Sequence, residues 1–222
     1  MINLGRVEKY LRRKASKEIL HFTLIDPDKT LPKEAAEIAR KAYEAGTDAI
    51  FVGGSIGVSE QDVDSIVKAV KKAVKIPVIA AGGIATGAGL LAAIALGAEA
   101  VQMGTRFVVS EESSAHHNFK QAILNSHEGH TMVALKKVIP VRLLKNPFYD
   151  AVKELEDEGA SKEELEKFLG LSRAKKGMFE GDIINGELEI GQIAGMIDEI
   201  KPVKEIIIEI MNEFIKIRNR IC

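Results

Sequence analysis

The sequence predicts an α/β fold with parallel strands, and two observations support this. Between Ile19 and Phe107, short apolar runs alternate with segments of helical composition. A run such as Ile76–Ala81 has no polar alternation, which is typical of a parallel strand buried on both faces. Strict alternation of strands and helices places the helices outside a parallel sheet. We therefore expect the order β-α-β-α-β-α-β over 19–107.

Each of these elements has its own sequence basis. Apolar residues at Val7, Tyr10 and Leu11 among charged neighbours predict an N-terminal helix over 5–18. Runs rich in β-formers or small apolar residues, several of them ending at glycine, predict strands over 19–25, 49–52, 76–81 and 100–103. Helical composition, with Pro32 at one start and Gly46 and Gly97 as stops, predicts helices over 32–45, up to Val74, and over 88–96.

Beyond Phe107 the pattern changes to helices and irregular chain. We expect a helix that begins at Glu111-Glu112 and a short extended segment over 132–138. Ser161 and Glu164 form a capping box for a helix over 162–169. A final helix is predicted over 195–217, interrupted near its start by Pro202. A complete (βα) barrel has eight strands in about 250 residues, and we count four, so a TIM-barrel-like partial or half barrel is predicted.

Two glycine sites at consecutive strand ends are the strongest functional signal. Gly82-Gly83 follows one predicted strand and Gly104-Thr105 follows the next. Either site alone is explained equally well by a tight turn, but together they match the phosphate site of (βα) barrels. Bare backbone amides at such loops can approach an anion closely. No Lys-Ser or Lys-Thr follows these glycines, as a Walker loop requires, and the segment from Gly82 to Gly87 lacks the G-x-G-x-x-G spacing of a dinucleotide fold.

The C-terminal two thirds, about 76–222, resembles the FMN-dependent nitronate monooxygenase and enoyl-ACP reductase family. The segments that carry this resemblance are PVIAAGGIATG, GAEAVQMGTRFVVSEESSAHHNFKQAI and FEGDIINGELEIGQIAGMIDEIKPVKEII. The resemblance implies a flavin whose phosphate is bound by Gly82, Gly83, Gln102, Gly104 and Thr105. It also implies that 1–110 and 190–222 form the barrel-type domain and that 111–189 form a mainly helical cap.

The N-terminal part, about 1–79, resembles a different family, geranylgeranylglyceryl phosphate synthase. The matching segments are HFTLIDPDK and GTDAIFVGGSIGVSEQDVDSIVKAVKKAVKIPVI. This resemblance implies that Asp26 and Ser55 bind Mg²⁺ in a prenyltransferase. Two oxygen ligands at adjacent strand ends suit a hard cation that bridges to a substrate diphosphate. Without the family, a turn-forming aspartate and a serine near a helix would be the simpler interpretation.

The chain therefore looks like a fusion of two barrel fragments, natural or engineered. It lacks the His-bearing loop of the flavoenzymes and the distal glycerol-phosphate motif of the synthases, and no catalytic residue is identified. We expect an FMN-dependent oxidoreductase that binds a small phosphate-bearing ligand. The alternatives are a Mg²⁺-dependent prenyltransferase and a catalytically inactive barrel fragment. His127 and His130 have a spacing that could bind a metal, but an exposed polar loop explains them better.

Composition narrows the remaining classes. The net charge is −1, so no global basic field recruits nucleic acid. A single Cys222, the lack of a signal-peptide pattern and the lack of an apolar run of membrane-spanning length lead us to expect a cytoplasmic protein. Four parallel strands leave two open edges and an apolar inner face, so we expect a homodimer that covers them.

Overall fold

The structure is a computed structural model that describes residues 5–54 and 60–221. The chain divides into two compact units, which are described separately. Unit 1 comprises Met1–Ile84, Ala88–Gln102 and Ile217–Cys222, and unit 2 comprises Ala85–Gly87 and Met103–Lys216. Among the described residues, no helix combines the length and the apolar character needed to cross a membrane.

The elements follow the predicted alternation in the first half of the chain. The helices are α1 (Arg6–Ala15), α2 (Pro32–Glu44), α3 (Glu60–Ala73), α4 (Gly87–Ala95), α5 (Thr105–Val108), α6 (His117–Leu124), α7 (Pro147–Asp157), α8 (Lys162–Leu169), α9 (Arg173–Met178) and α10 (Val203–Ile221). The strands are β1 (Phe22–Ile25), β2 (Ala49–Val52), β3 (Val78–Ala81), β4 (Ala100–Gln102), β5 (Thr131–Ala134) and β6 (Val141–Leu144). Short 3₁₀ helices span Pro27–Lys29 and Gln192–Met196.

Unit 1 is built on one four-stranded parallel sheet in the order β1-β2-β3-β4. The register pairs Ile25 with Val52, Val52 with Ala80, and Ala80 with Val101. The α/β class, the parallel sheet of four strands and their order along the chain are thus confirmed. In the part of the chain that the structure describes, β1 and β4 remain sheet edges and the strands do not close into a barrel.

The two faces of this sheet differ in burial. One face carries Ile25, Ile50, Val52 and Val78, which are at most 2% exposed and belong to a cluster with residues of α2 and α3. Full burial of such a side chain stabilises a fold by about 1.5–3 kcal/mol. The opposite face carries Phe22 and Leu24, which are 40% and 64% exposed. This apolar face follows directly from the period of two along each strand.

Unit 2 contains an antiparallel hairpin of β5 and β6. A third extended segment pairs with β6, because the amide of Leu144 donates to the carbonyl of Leu188 at 2.9 Å and that of Ile190 donates to Arg142 at 3.1 Å. The sequence indicated only an extended piece over 132–138, and strand β6 was not predicted. Helix α8 was predicted correctly, with Ser161 at its N-cap and Glu164 completing the capping box.

Two predicted helix starts in unit 2 are wrong. The helix expected at Glu111 begins instead at His117, because the Glu112 carboxylate accepts hydrogen bonds from the Val203 amide at 2.9 and 3.1 Å. Glu112 therefore caps α10 and does not lie in the first turn of the helix that was expected to begin at Glu111. The final helix, expected from residue 195, begins at Val203 because Pro202 disfavours helical backbone in the residue before it.

Candidate functional site

The carboxyl edge of the unit 1 sheet brings together several of the predicted site residues. Register places the ends of β1, β2, β3 and β4 side by side, so that Asp26, Gly53 and Gly82 each follow a strand at this edge. Gln102 is the last residue of β4, opposite Ala81, and its side chain is exposed. The carboxyl-edge position of these residues is as predicted, and their role in binding stays a prediction.

Gly82 and Gly83 have backbone conformations that favour glycine. Their φ values are +88° and +68°, where an L side chain is strained. A Cβ built on Gly83 meets no described atom within 4 Å, and one on Gly82 meets only the Gly54 carbonyl oxygen at 3.5 Å. The Gly83 amide donates to no acceptor among the described residues. This loop thus offers a backbone donor without an acceptor among the described residues and has no side chain at Gly83, which suits an anion such as a phosphate.

The glycines after β2 have a structural explanation. A side chain at Gly53 would collide with the carbonyl of Ala81, and one at Gly54 would collide with the Asp26 carboxylate. The Asp26 carboxylate lies 3.5 Å from the ammonium of Lys29. Ser55, the other predicted Mg²⁺ ligand, lies outside the described residues. The magnesium site therefore stays a prediction, with Asp26 placed at the sheet edge.

Gly104 and Thr105 belong to unit 2, where Gly104 precedes the short helix α5. Gly104 has φ −100°, and a Cβ built on it meets no described atom within 4 Å. Within the described chain its amide has no acceptor. The Thr105 hydroxyl oxygen accepts a hydrogen bond from the Gly191 amide at 3.1 Å, which leaves its own proton to donate. The donors of this loop, taken by itself, therefore fit a phosphate group.

Unit 2 also contains a polar cavity that the sequence did not reveal. It has a volume of about 140 Å³, and Arg106, Lys201, Glu209 and Glu213 line part of it. The Arg106 side chain is 11% exposed, and its Nη1 has no hydrogen-bond partner among the described residues. Lys201 donates to Glu209 at 2.5 Å, and this bond raises the pKa of Lys201. No sequence pattern predicts this cavity, because Arg106 lies far in the sequence from Lys201, Glu209 and Glu213.

The histidines do not assemble a metal site in the described residues. The rings of His127 and His130 lie 3.3 Å apart, but no group of three His, Cys, Asp or Glu residues capable of holding a metal occurs in the described ranges. Burial lowers the pKa of His130, and the positive charge of His127 adds to this effect. His116 accepts a hydrogen bond from the Asn118 amide and so acts as the N-cap of α6.

Comparison with known proteins identifies the family. The family model described as nitronate monooxygenase matches residues 31–213, which is most of the chain. The chain belongs to the nitronate monooxygenase family. FabK from Thermotoga maritima is 38% identical, with a TM-score of 0.79 over 98% of this chain and 68% of FabK. The nitroalkane oxidase of Streptomyces ansochromogenes is 26% identical, with a TM-score of 0.69 over 96% of this chain and 62% of the oxidase.

The second resemblance is confirmed as a partial one. The geranylgeranylglyceryl phosphate synthase of Thermofilum pendens is 54% identical over 76 residues, and that of Aeropyrum pernix is 60% identical over 73 residues. These matches cover 34% and 33% of this chain and 30% and 28% of the two synthases. The nitronate monooxygenase family member described here thus spans less than a third of the length of the curated synthases it matches.

Proposed function

We propose that this nitronate monooxygenase family member is an FMN-binding oxidoreductase. The observation that supports this most strongly is that the amides of Gly83 and Gly104 have no acceptor among the described residues, and that a Cβ added to either glycine would meet no described atom within 4 Å. Family membership makes a flavin phosphate the ligand of choice for such donors. A small phosphate-bearing ligand was also the expectation from the sequence alone.

Each proposed contact has a distinct role. The amides of Gly82, Gly83 and Gly104 donate to phosphate oxygens, and the Thr105 hydroxyl donates its proton while Gly191 fixes its oxygen. Gln102 offers an exposed side-chain amide as a further donor. When bound, FMN would supply the redox chemistry. We further propose, from the family resemblance, that residues 111–189 form the cap that excludes water.

The proposal can be narrowed to two reactions. Family membership and the likeness to FabK favour either oxidation of an alkyl nitronate or reduction of an enoyl thioester. The proton-transfer group that either reaction needs is not assigned to a residue. Two of the histidines are engaged elsewhere, since the His116 ring nitrogen caps α6 and a ring nitrogen of His21 bonds to the Thr47 hydroxyl at 2.7 Å.

The absorbance spectrum of the purified protein tests this proposal. We expect flavin bands between about 350 and 460 nm, released on denaturation as FMN. Consumption of oxygen with an alkyl nitronate, or of a reduced nicotinamide with an enoyl thioester, would then identify the substrate class. A colourless protein that takes up no added FMN would contradict the proposal.

A second candidate function is Mg²⁺-dependent prenyl transfer to glycerol phosphate. The supporting observation is that the Asp26 carboxylate lies against Gly54 at the carboxyl edge of the sheet, within the segment that matches the synthases. Mg²⁺-dependent consumption of a prenyl diphosphate, lost in Asp26→Asn, would support it. Absence of both flavin and this activity would favour an inactive barrel fragment.

A further inference from the structure

Unit 1 contains a second cavity, at the end of the sheet opposite the glycine loops. Its volume is about 380 Å³, within the range of small-molecule pockets. Residues of α1 form one wall, and the loops that lead into β3 and β4 form the other through Lys75, Pro77 and Glu99. These loops precede the strands, whereas Gly82 and Gly83 follow β3, so this cavity is separate from the proposed flavin contacts of unit 1.

The cavity has a strong excess of positive charge. Among the described residues that line it, Arg6, Lys9, Arg13 and Lys75 are cationic, and Glu99 is the one carboxylate. Glu99 is already paired with both Arg6 and Lys71. Burial lowers the pKa of Lys71, and the charge of Arg6 adds to this effect. The carboxylate is thus fully engaged, and the remaining cations favour an anionic ligand.

The other lining residues are apolar or aromatic. Val7 is buried, Pro77 is buried, and the half-buried ring of Tyr10 completes the lining. A flat aromatic group can stack on the exposed part of the tyrosine ring, while the buried Val7 and Pro77 add only a small apolar edge to the cavity. An anion without an apolar part would leave this surface unused.

We propose that this cavity binds a nucleoside diphosphate or triphosphate. The base packs on the half-buried ring of Tyr10, and the phosphates pair with Arg13, Lys9 and Lys75. Arginine suits phosphate because its planar fork donates two parallel hydrogen bonds, while each lysine supplies a point charge. The chemistry is recognition only, with no covalent step.

Titration calorimetry of the full chain with ADP tests the proposal. We expect ADP to bind, and adenosine and inorganic pyrophosphate each to bind at least about tenfold more weakly, because each lacks one half of the contacts. Binding should persist when FMN is present in excess, which separates this cavity from the glycine loops. No ADP binding at millimolar concentration, loss of binding in the presence of FMN, or equal affinity for pyrophosphate would overturn the proposal.

A matched pair of double variants separates the contribution of the cavity's cations from that of the protein's net charge. Arg13→Gln with Lys75→Gln removes two cations from the cavity, and Arg40→Gln with Lys33→Gln removes two exposed cations from α2. We expect the first double variant to weaken ADP binding by at least about tenfold and the second to leave it within about twofold. Equal loss in both would show non-specific attraction and would overturn the proposal. Circular dichroism checks that both variants are folded.

Discussion

The backbone amide of Gly87 donates a hydrogen bond to the Glu213 carboxylate at 2.8 Å. This bond joins the first residue of α4 to α10, over 126 positions of sequence. A Cβ at Gly87 would collide with the backbone of Ile210 and Phe214, so glycine is needed for this close approach. A carboxylate at a helix N-terminus is also favoured by the helix dipole.

Replacement of Glu213 should therefore destabilise the fold. We expect Glu213→Ala to lower the free energy of unfolding by about 1 kcal/mol, because the Gly87 amide loses its acceptor. Glu213→Gln, which keeps a side-chain oxygen, should cost less. Chemical denaturation measures both variants, and equal stability of Glu213→Ala and the wild type would contradict the role of this bond.

Asp48 should make the stability of the fold depend on pH in the acidic range. Its carboxylate is nearly buried, accepts a hydrogen bond from the His21 amide at 2.8 Å and pairs with Lys14, and the Lys14 hydrogen bond is the main reason that its pKa is lowered. A carboxyl whose folded-state pKa is depressed stabilises the fold above its unfolded pKa, near 3.9. That contribution is lost as pH falls through the lower folded value.

Thermal unfolding of Asp48→Asn tests this dependence. We expect a lower midpoint than that of the wild type at pH 6 and a smaller difference between the two proteins at pH 3. An exposed carboxylate such as Glu158 provides the matched control, Glu158→Gln, which should leave the midpoint unchanged at both pH values. A constant difference between Asp48→Asn and the wild type would contradict the prediction.

Glu187 should have the opposite effect. Its side chain is 6% exposed in unit 2, and burial raises its pKa to about 7, with a smaller contribution from the charge of Glu189. The folded state therefore holds the proton more tightly than the unfolded state, and stability falls as pH rises from about 4.5 to 7. The loss is about 3 kcal/mol, because each pKa unit corresponds to about 1.4 kcal/mol.

Glu187→Gln tests this effect directly. The variant should be more stable than the wild type at pH 8 and should lack the decline between about pH 4.5 and 7. The exposed neighbour Glu189, changed to Gln, should keep most of the decline because the burial of Glu187 is its main cause. A wild-type protein with constant stability over this range would contradict the assigned pKa.

The exposed apolar face of the unit 1 sheet leads us to predict a homodimer. Leu24 is 64% exposed on this face, beside the edge-to-face pair of Phe22 and Phe51 at 5.5 Å. Leu24→Lys should shift the mass measured by light scattering toward a monomer, because it buries a charge in the pairing surface. Ile19→Lys, at a position that is 98% exposed and outside the strand, should not. A compact wild-type monomer at micromolar concentration would contradict this prediction.

Elements that are fixed by contacts between neighbouring residues could be predicted from the sequence. Elements that depend on residues far apart in the sequence could not. Strand β2 was predicted at its observed bounds, because a buried apolar run lies between glycine-marked turns. The start of α6 was missed because Glu112 is held by Val203, 91 positions later, and no local pattern shows this. The burial of Arg106 was missed for the same reason, since Lys201, Glu209 and Glu213 line its cavity from positions distant in sequence. The burial of Glu187 was also missed.

Titration of the apoprotein with FMN, followed by flavin fluorescence, tests whether the glycine loops at Gly83 and Gly104 bind the flavin. Gly104 has a negative φ of −100°, so Gly104→Val avoids the left-handed strain of Gly83→Val, and weaker binding would reflect the side chain's intrusion into the ligand space. Gly83→Val has its matched control in Gly46→Val, which has a comparable positive φ and open surroundings in the same unit. We predict that the wild type and Gly46→Val bind FMN and that Gly83→Val and Gly104→Val bind at least about tenfold more weakly. Equal FMN affinity in all four folded proteins would contradict the account.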